Sequence, residues 1–123
     1  MNQWEAAEQT ALFRWADFMS GQFPEIEMLY HIPNGGSRNK IEAAHLKQQG
    51  VKAGVPDLCL PVARGEYHGL YIELKYGKNK PTENQKRWIN HLRSQNYKAE
   101  VAYGWEEASK IILEYLKSTR VEK

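Results

Sequence analysis

Two short apolar runs joined by a turn-rich link constrain this chain more than any other feature. The first, Leu58 to Val62, opens at Asp57 and contains Pro61, so it is too short for a typical helix and reads as a buried strand. The second, Leu70 to Tyr76, alternates with period two, which puts Leu70, Ile72 and Leu74 on one face and Tyr71, Glu73 and Lys75 on the other. The link Arg64-Gly65-Glu66-Tyr67-His68-Gly69 is short enough to close an antiparallel hairpin. Such a hairpin turns the carboxylate of Asp57 towards that of Glu73 and sets Lys75 beside Glu73. Two acids and a lysine on adjacent strands outline a metal site.

The remaining segments frame that hairpin. A helix is expected from Gln3 to Ser20, with Trp4, Ala7, Ala11, Trp15 and Phe18, flanked by Leu12 and Met19, as its core stripe and Gly21 as its stop. Glu8 falls near the centre of that stripe and Glu5 at its edge, on the side of Gln9. A carboxylate aimed into a core costs several kcal/mol unless paired or bound to a cation, whereas a solvated first turn favours acids through the helix dipole. A strand from Ile26 to Ile32 follows, ended by Pro33-Asn34-Gly35-Gly36. Two glycines there serve a turn, and with Arg38 and Lys40 close behind they also suit a phosphate. A second helix, Arg38 to Gln49, directs Ile41, Ala44 and Leu46 inward and stops at Gly50. After the hairpin comes a basic loop containing Lys78, then a helix capped by Thr82 and running to Asn96, with Gln85, Trp88 and Leu92 on one face. A strand from Ala99 to Tyr103 and an amphipathic helix from Trp105 to Lys117 complete the chain. The order predicts one α/β domain over residues 1–123, built on a central mixed four-stranded sheet flanked by helices.

Composition excludes several classes. At 26% charged and 41% hydrophobic residues the chain is ordinary globular material, and a net charge of +2 does not by itself mark a nucleic-acid binder. Cys59 is the only cysteine, so no internal disulfide can form, and its strand position favours a core thiol. No histidine or cysteine spacing fits zinc, and no phosphate-binding motif for a nucleotide cofactor is present. Neither a signal peptide nor a membrane-spanning run is legible, so a cytoplasmic protein with no membrane partner is expected.

Pro56-Asp57, fifteen intervening residues and Glu73-Leu74-Lys75 resemble the bipartite signature of PD-(D/E)XK nucleases. With His31-Ile32-Pro33-Asn34-Gly35-Gly36, Gly54-Val55-Pro56-Asp57 and Gln85 in this order, the chain resembles VRR-NUC domains from about Glu5 to Leu116, above all the stand-alone versions of phages and prophages. The resemblance implies a restriction-endonuclease-like core and hydrolysis of DNA by Asp57, Glu73, Lys75 and Gln85. It also implies a helix glutamate near the metal, for which Glu5-x-x-x-Gln9 fits best and Glu8 is the rival. Mg²⁺ or Mn²⁺ suits oxygen donors from Asp57, Glu73 and the Leu74 carbonyl. Contacts to DNA are expected from Asn34, Gly35, Gly36, Arg38, Lys40 and Lys78. Stand-alone members resemble Holliday-junction resolvases, which implies branched DNA as substrate and a homodimer. The alternative is a catalytically weak nucleic-acid-binding protein that retains the nuclease fold.

Overall fold

The structure, a computed structural model, describes residues 2–34 and 39–118. Helix α1 (Gln3–Met19) is capped by Asn2, whose side chain accepts from the Glu5 N–H, and it leads into a short 3₁₀ helix, Pro24–Met28. There follow β1 (Tyr30–His31), α2 (Lys40–Gln48), β2 (Leu58–Leu60), β3 (Leu70–Lys75), α3 (Glu83–Ser94), β4 (Lys98–Tyr103) and α4 (Trp105–Lys117). The four strands form one mixed sheet in the order β1-β2-β3-β4, with β3 and β4 parallel and the other pairs antiparallel. The parallel step needs a crossover, and α3 supplies it.

Apolar cores lie on both faces of the sheet. On one, Leu58, Leu60, Leu70, Ile72 and Leu74 pack with Leu12 and Ala16 of α1 and with Ala108, Ile112, Tyr115 and Leu116 of α4. On the other, Ile89 and Leu92 of α3 cover Ala99, with Tyr71, Tyr97 and Val101 against them. The alternation expected along β3 is present, but the face carrying Glu73 and Lys75 is covered as well, so both charged residues are buried. Fully burying a leucine or isoleucine contributes about 2 kcal/mol, and β2 and β3 supply five such side chains, which makes the hairpin a stiff mount for whatever it carries.

Several expectations shift. The buried stripe of α1 is Glu5, Leu12 and Ala16, with Gln9 half-buried between them, at spacings i, i+4, i+7 and i+11. Trp4 and Phe18, expected inside, are 55% and 84% exposed, and Ala7 is exposed too. Counting only apolar residues rotates the helix wrongly, because the first two members of its true inner stripe are an acid and an amide. The expected strand Ile26 to Ile32 shrinks to β1: Pro24 starts a 3₁₀ turn that points Ile26 alone into the core. Helix α2 buries no residue, and Ile41 is 70% exposed, so its apolar spacing marks a face that no described element covers. Its predicted start at Arg38 lies outside the described residues. Helix α3 ends at Ser94, two residues early, because Asn96 takes a positive φ of 64°. Cys59 is a buried free thiol, as expected. No helix among the described residues is long and apolar enough to cross a membrane.

Candidate active site

The hairpin register builds the centre. Leu58 pairs with Ile72; continuing one residue sets Asp57 opposite Glu73, and one more sets Pro56 opposite Leu74. Proline has no N–H, so at that position the ladder offers the Leu74 carbonyl no donor. The Leu74 N–H is used differently, donating to Asp57 Oδ2 at 2.8 Å. The Asp57 carbonyl accepts from the Ile32 N–H at 2.7 Å and, 3.0 Å away, from His31 Nδ1 in the tautomer protonated there. Asp57 is thereby fixed from both neighbouring strands.

Asp57, Glu73 and Lys75 are all buried. Burial first, then a hydrogen bond to Asp57 and repulsion from it, push the Glu73 carboxyl up to about 9; Lys75 pulls it down and Glu5 adds to the rise. Lys75 Nζ stands 4.0 Å from Glu73 Oε2, and Gln85 Nε2 donates to the same oxygen at 3.4 Å. Glu73 Oε1 is buried with no hydrogen-bond partner. An orphaned carboxylate oxygen beside a second carboxylate is costly in a core. A divalent cation with a preference for oxygen donors fits that arrangement: it satisfies the orphan oxygen and cancels the repulsion. Among the described residues no three acidic, histidine or cysteine side chains are grouped so as to hold a metal ion by themselves.

The raised carboxyl has a consequence for stability. Below the ordinary value of 4.5, Glu73 is protonated in the folded and unfolded chain alike. Above it the unfolded chain loses a proton that the folded chain keeps, so this group erodes stability as pH rises towards about 9. In EDTA the thermal midpoint should therefore drop from pH 6 to pH 8, and Glu73→Gln should flatten the drop. Equal slopes for wild type and variant would count against a neutral buried Glu73.

Gln85 both caps α3 and reaches the hairpin pair. Its Oε1 accepts from the Thr82 N–H at 2.8 Å while its own N–H donates to Thr82 Oγ1 at 3.2 Å, a reciprocal capping box. That cap fixes the amide so that its NH₂ group faces Glu73. The two helix acids separate cleanly. Glu5 is buried, and its Oε2 accepts from Asn2 Nδ2 and from Asn79 Nδ2, each at 2.9 Å. Its charge is felt at Glu73. Glu8 instead points to α4, where its Oε2 accepts from the Trp105 N–H at 3.2 Å. It caps that helix from outside, because Gly104 has no side chain to do so, and borders a cavity of about 390 Å³ with Tyr103, Glu106 and Glu107. Of the two, Glu5 is the acid whose charge acts on Glu73, while Glu8 is engaged at the start of α4.

A VRR-NUC domain profile matches residues 3–106. The chain belongs to the VRR-NUC family. A solved VRR_NUC domain protein is 35% identical, with a TM-score of 0.82 over 99% of this chain and 95% of its own. No match was found among curated proteins. Membership makes this α/β chain a nuclease domain, with DNA as the kind of substrate its family handles.

Two further residues of this VRR-NUC domain stand out, the first with no sequence signal and the second paired with Glu5 only by the resemblance. Asn79, an uncharged residue in a lysine-rich loop, clamps Glu5 from across the site. Gln9, one turn after Glu5, keeps its amide oxygen buried with no partner. Of the expected DNA contacts, Gly35, Gly36 and Arg38 lie outside the described residues, and Asn34 is half-buried directly before them. Lys40 and Lys78 are exposed and form no ion pair among the described residues, at the start of α2 and in the loop after β3 respectively. Cations not spent on internal pairs remain available to phosphates.

Proposed function

We propose that residues 1–123 form one metal-dependent DNA endonuclease domain that hydrolyses phosphodiester bonds in branched DNA. One observation carries the reading: Glu73, buried against Asp57, has an unpartnered oxygen at the end of a hairpin that also holds Lys75. Asp57, Glu73 and the Leu74 carbonyl would hold Mg²⁺ or Mn²⁺, with Glu5 close by. The ion supplies positive charge against the scissile phosphate and makes water a better nucleophile. Asp57 is aimed by the Leu74 N–H, Glu73 by the Gln85 amide, and Glu5 by Asn2 and Asn79. Lys75 offers its ammonium to the phosphate oxygens as charge builds on them. Asn34, Gly35, Gly36, Arg38, Lys40 and Lys78 would carry the DNA backbone, a contact type that holds and orients without reading sequence.

The test is cleavage of linear, flap, nicked and four-way-junction DNA with Mg²⁺ or Mn²⁺, each with and without excess EDTA. Branched substrates should be cut, and chelation should stop it. Cleavage persisting in EDTA overturns the metal requirement, and binding without cleavage under any divalent ion favours a DNA-binding protein that keeps only the fold. Resolving a junction means cutting two symmetry-related strands, so two copies related by a two-fold axis are expected. Exposed Met28, Tyr30 and Ile41 provide apolar surface for such an interface. Mass measurement of the junction complex should give two chains per DNA, and one chain per DNA would exclude the dimer.

A further inference from the structure

We propose that Trp4 and Tyr76 form a stacking platform for an unpaired nucleobase of the DNA, beside the phosphate being cut. The inference rests on the nuclease reading above and specifies the shape of DNA that this site takes. Trp4 immediately precedes Glu5, and Tyr76 immediately follows Lys75. Their rings lie 5.7 Å apart between centroids and within 18° of parallel. It is the one near-parallel ring pair among the described residues, and both members are open to solvent, at 55% and 39% exposure. Neither ring belongs to either core.

Core packing does not account for a tryptophan in the first, exposed turn of α1, and its position has a functional consequence. The Asn79 bond to Glu5 ties the loop after β3 to the start of α1, so the two rings are held together by the same contact that clamps the acid. Lys78 and Lys80, exposed in that loop, supply cations for the strand leading to the platform. Parallel aromatic faces next to unpaired lysines are the combination that binds single-stranded nucleic acid, because every base has a π-face and every nucleotide a phosphate. A base within a duplex already stacks on both sides and cannot reach these rings without leaving the helix. The platform therefore favours DNA whose base is already unpaired: a flap, a splayed arm or the open centre of a branch.

The test compares a splayed-arm DNA with a blunt duplex of the same length, by fluorescence anisotropy at one fixed salt concentration with Ca²⁺ present. In a parallel sample, 2-aminopurine occupies the first unpaired position. Wild type should prefer the splayed arm and quench the probe. Trp4→Ala with Tyr76→Ala should lower that preference by about tenfold and abolish the quench, the scale expected for removing one base stack. Trp4→Phe with Tyr76→Phe keeps two π-faces and should retain most of both signals. Thermal melting of each variant separates loss of the platform from loss of the fold. The inference is overturned if wild type shows no preference, if the alanine pair keeps it, or if the phenylalanine pair is as impaired as the alanine pair. A protein that cuts duplex and splayed DNA alike, without quenching, loses the platform and keeps the nuclease reading. Aromatic-dependent binding of splayed DNA with no cleavage in Mg²⁺ or Mn²⁺ does the reverse.

Discussion

Replacing Lys75 with methionine is expected to slow DNA cleavage by about 10²- to 10³-fold, the range for removing one preorganised charge from a transition state. Methionine is the informative choice because Lys75 is only 6% exposed. Its alkyl stem packs inside the domain, and alanine would add a cavity to the loss of charge. The substitution also removes the one group that lowers the Glu73 carboxyl, 4.0 Å away, so Glu73 should hold its proton more tightly. DNA affinity at one salt concentration should change only a few-fold, since exposed cations such as Lys40 and Lys78 provide most backbone contacts. A methionine variant that cleaves at the wild-type rate would remove Lys75 from the chemistry. One whose melting temperature collapses would mean that the buried contact between Lys75 and Glu73 is structural.

The second large effect is on assembly of the site, through Gly54. Its φ is +91°, and a Cβ there would meet the backbone carbon, backbone oxygen and Cβ of Asn84 at 2.8 to 2.9 Å. Those atoms are the start of α3, one residue before Gln85, and cannot swing away as a side-chain tip can. Gly54→Ala should therefore cost about 3 kcal/mol from left-handed strain and overpacking together, lowering the melting temperature by roughly 10 °C. Gly50 is the matched control: its φ is +97°, but a Cβ there meets nothing within 4 Å. Gly50→Ala should show the strain alone. If the two variants melt together, the contact between the turn before Asp57 and α3 does not hold the domain. The same contact sets how α3 presents Gln85, so Gly54→Ala should lose activity beyond its loss of stability.

Much of this site was legible in residue order because its central parts are local. Period-two alternation, a short turn-rich link and the antiparallel register that follows bring Asp57, Glu73 and Lys75 together with little help from elsewhere. Thr82 and Gln85 are likewise a contact within one helical turn, readable as a capping box. The final helix, Trp105–Lys117, was legible for the same reason, as a strong periodic pattern opening after glycine.

What the tertiary structure decided are the quantities that depend on a distant partner. Periodicity states which residues share a face, but not which face another element will cover. It therefore placed Trp4, Ala7 and Phe18 inside along with Trp15, whereas α4 and the sheet pack on the side of Leu12 and Ala16, with Trp15 and Met19 partly buried against that core. That rotation turns Glu5 inward and sends Glu8 to the start of α4, a choice separated by 97 residues from its partner Trp105. Tertiary packing buries Glu73 and Lys75, and burial rather than residue identity is what raises the Glu73 carboxyl so far. Asn79, 74 residues from Glu5, acquires its role only when the loop after β3 folds over the first turn of α1. Local sequence determines which groups are available; desolvation and long-range contact determine their charge state and where they meet.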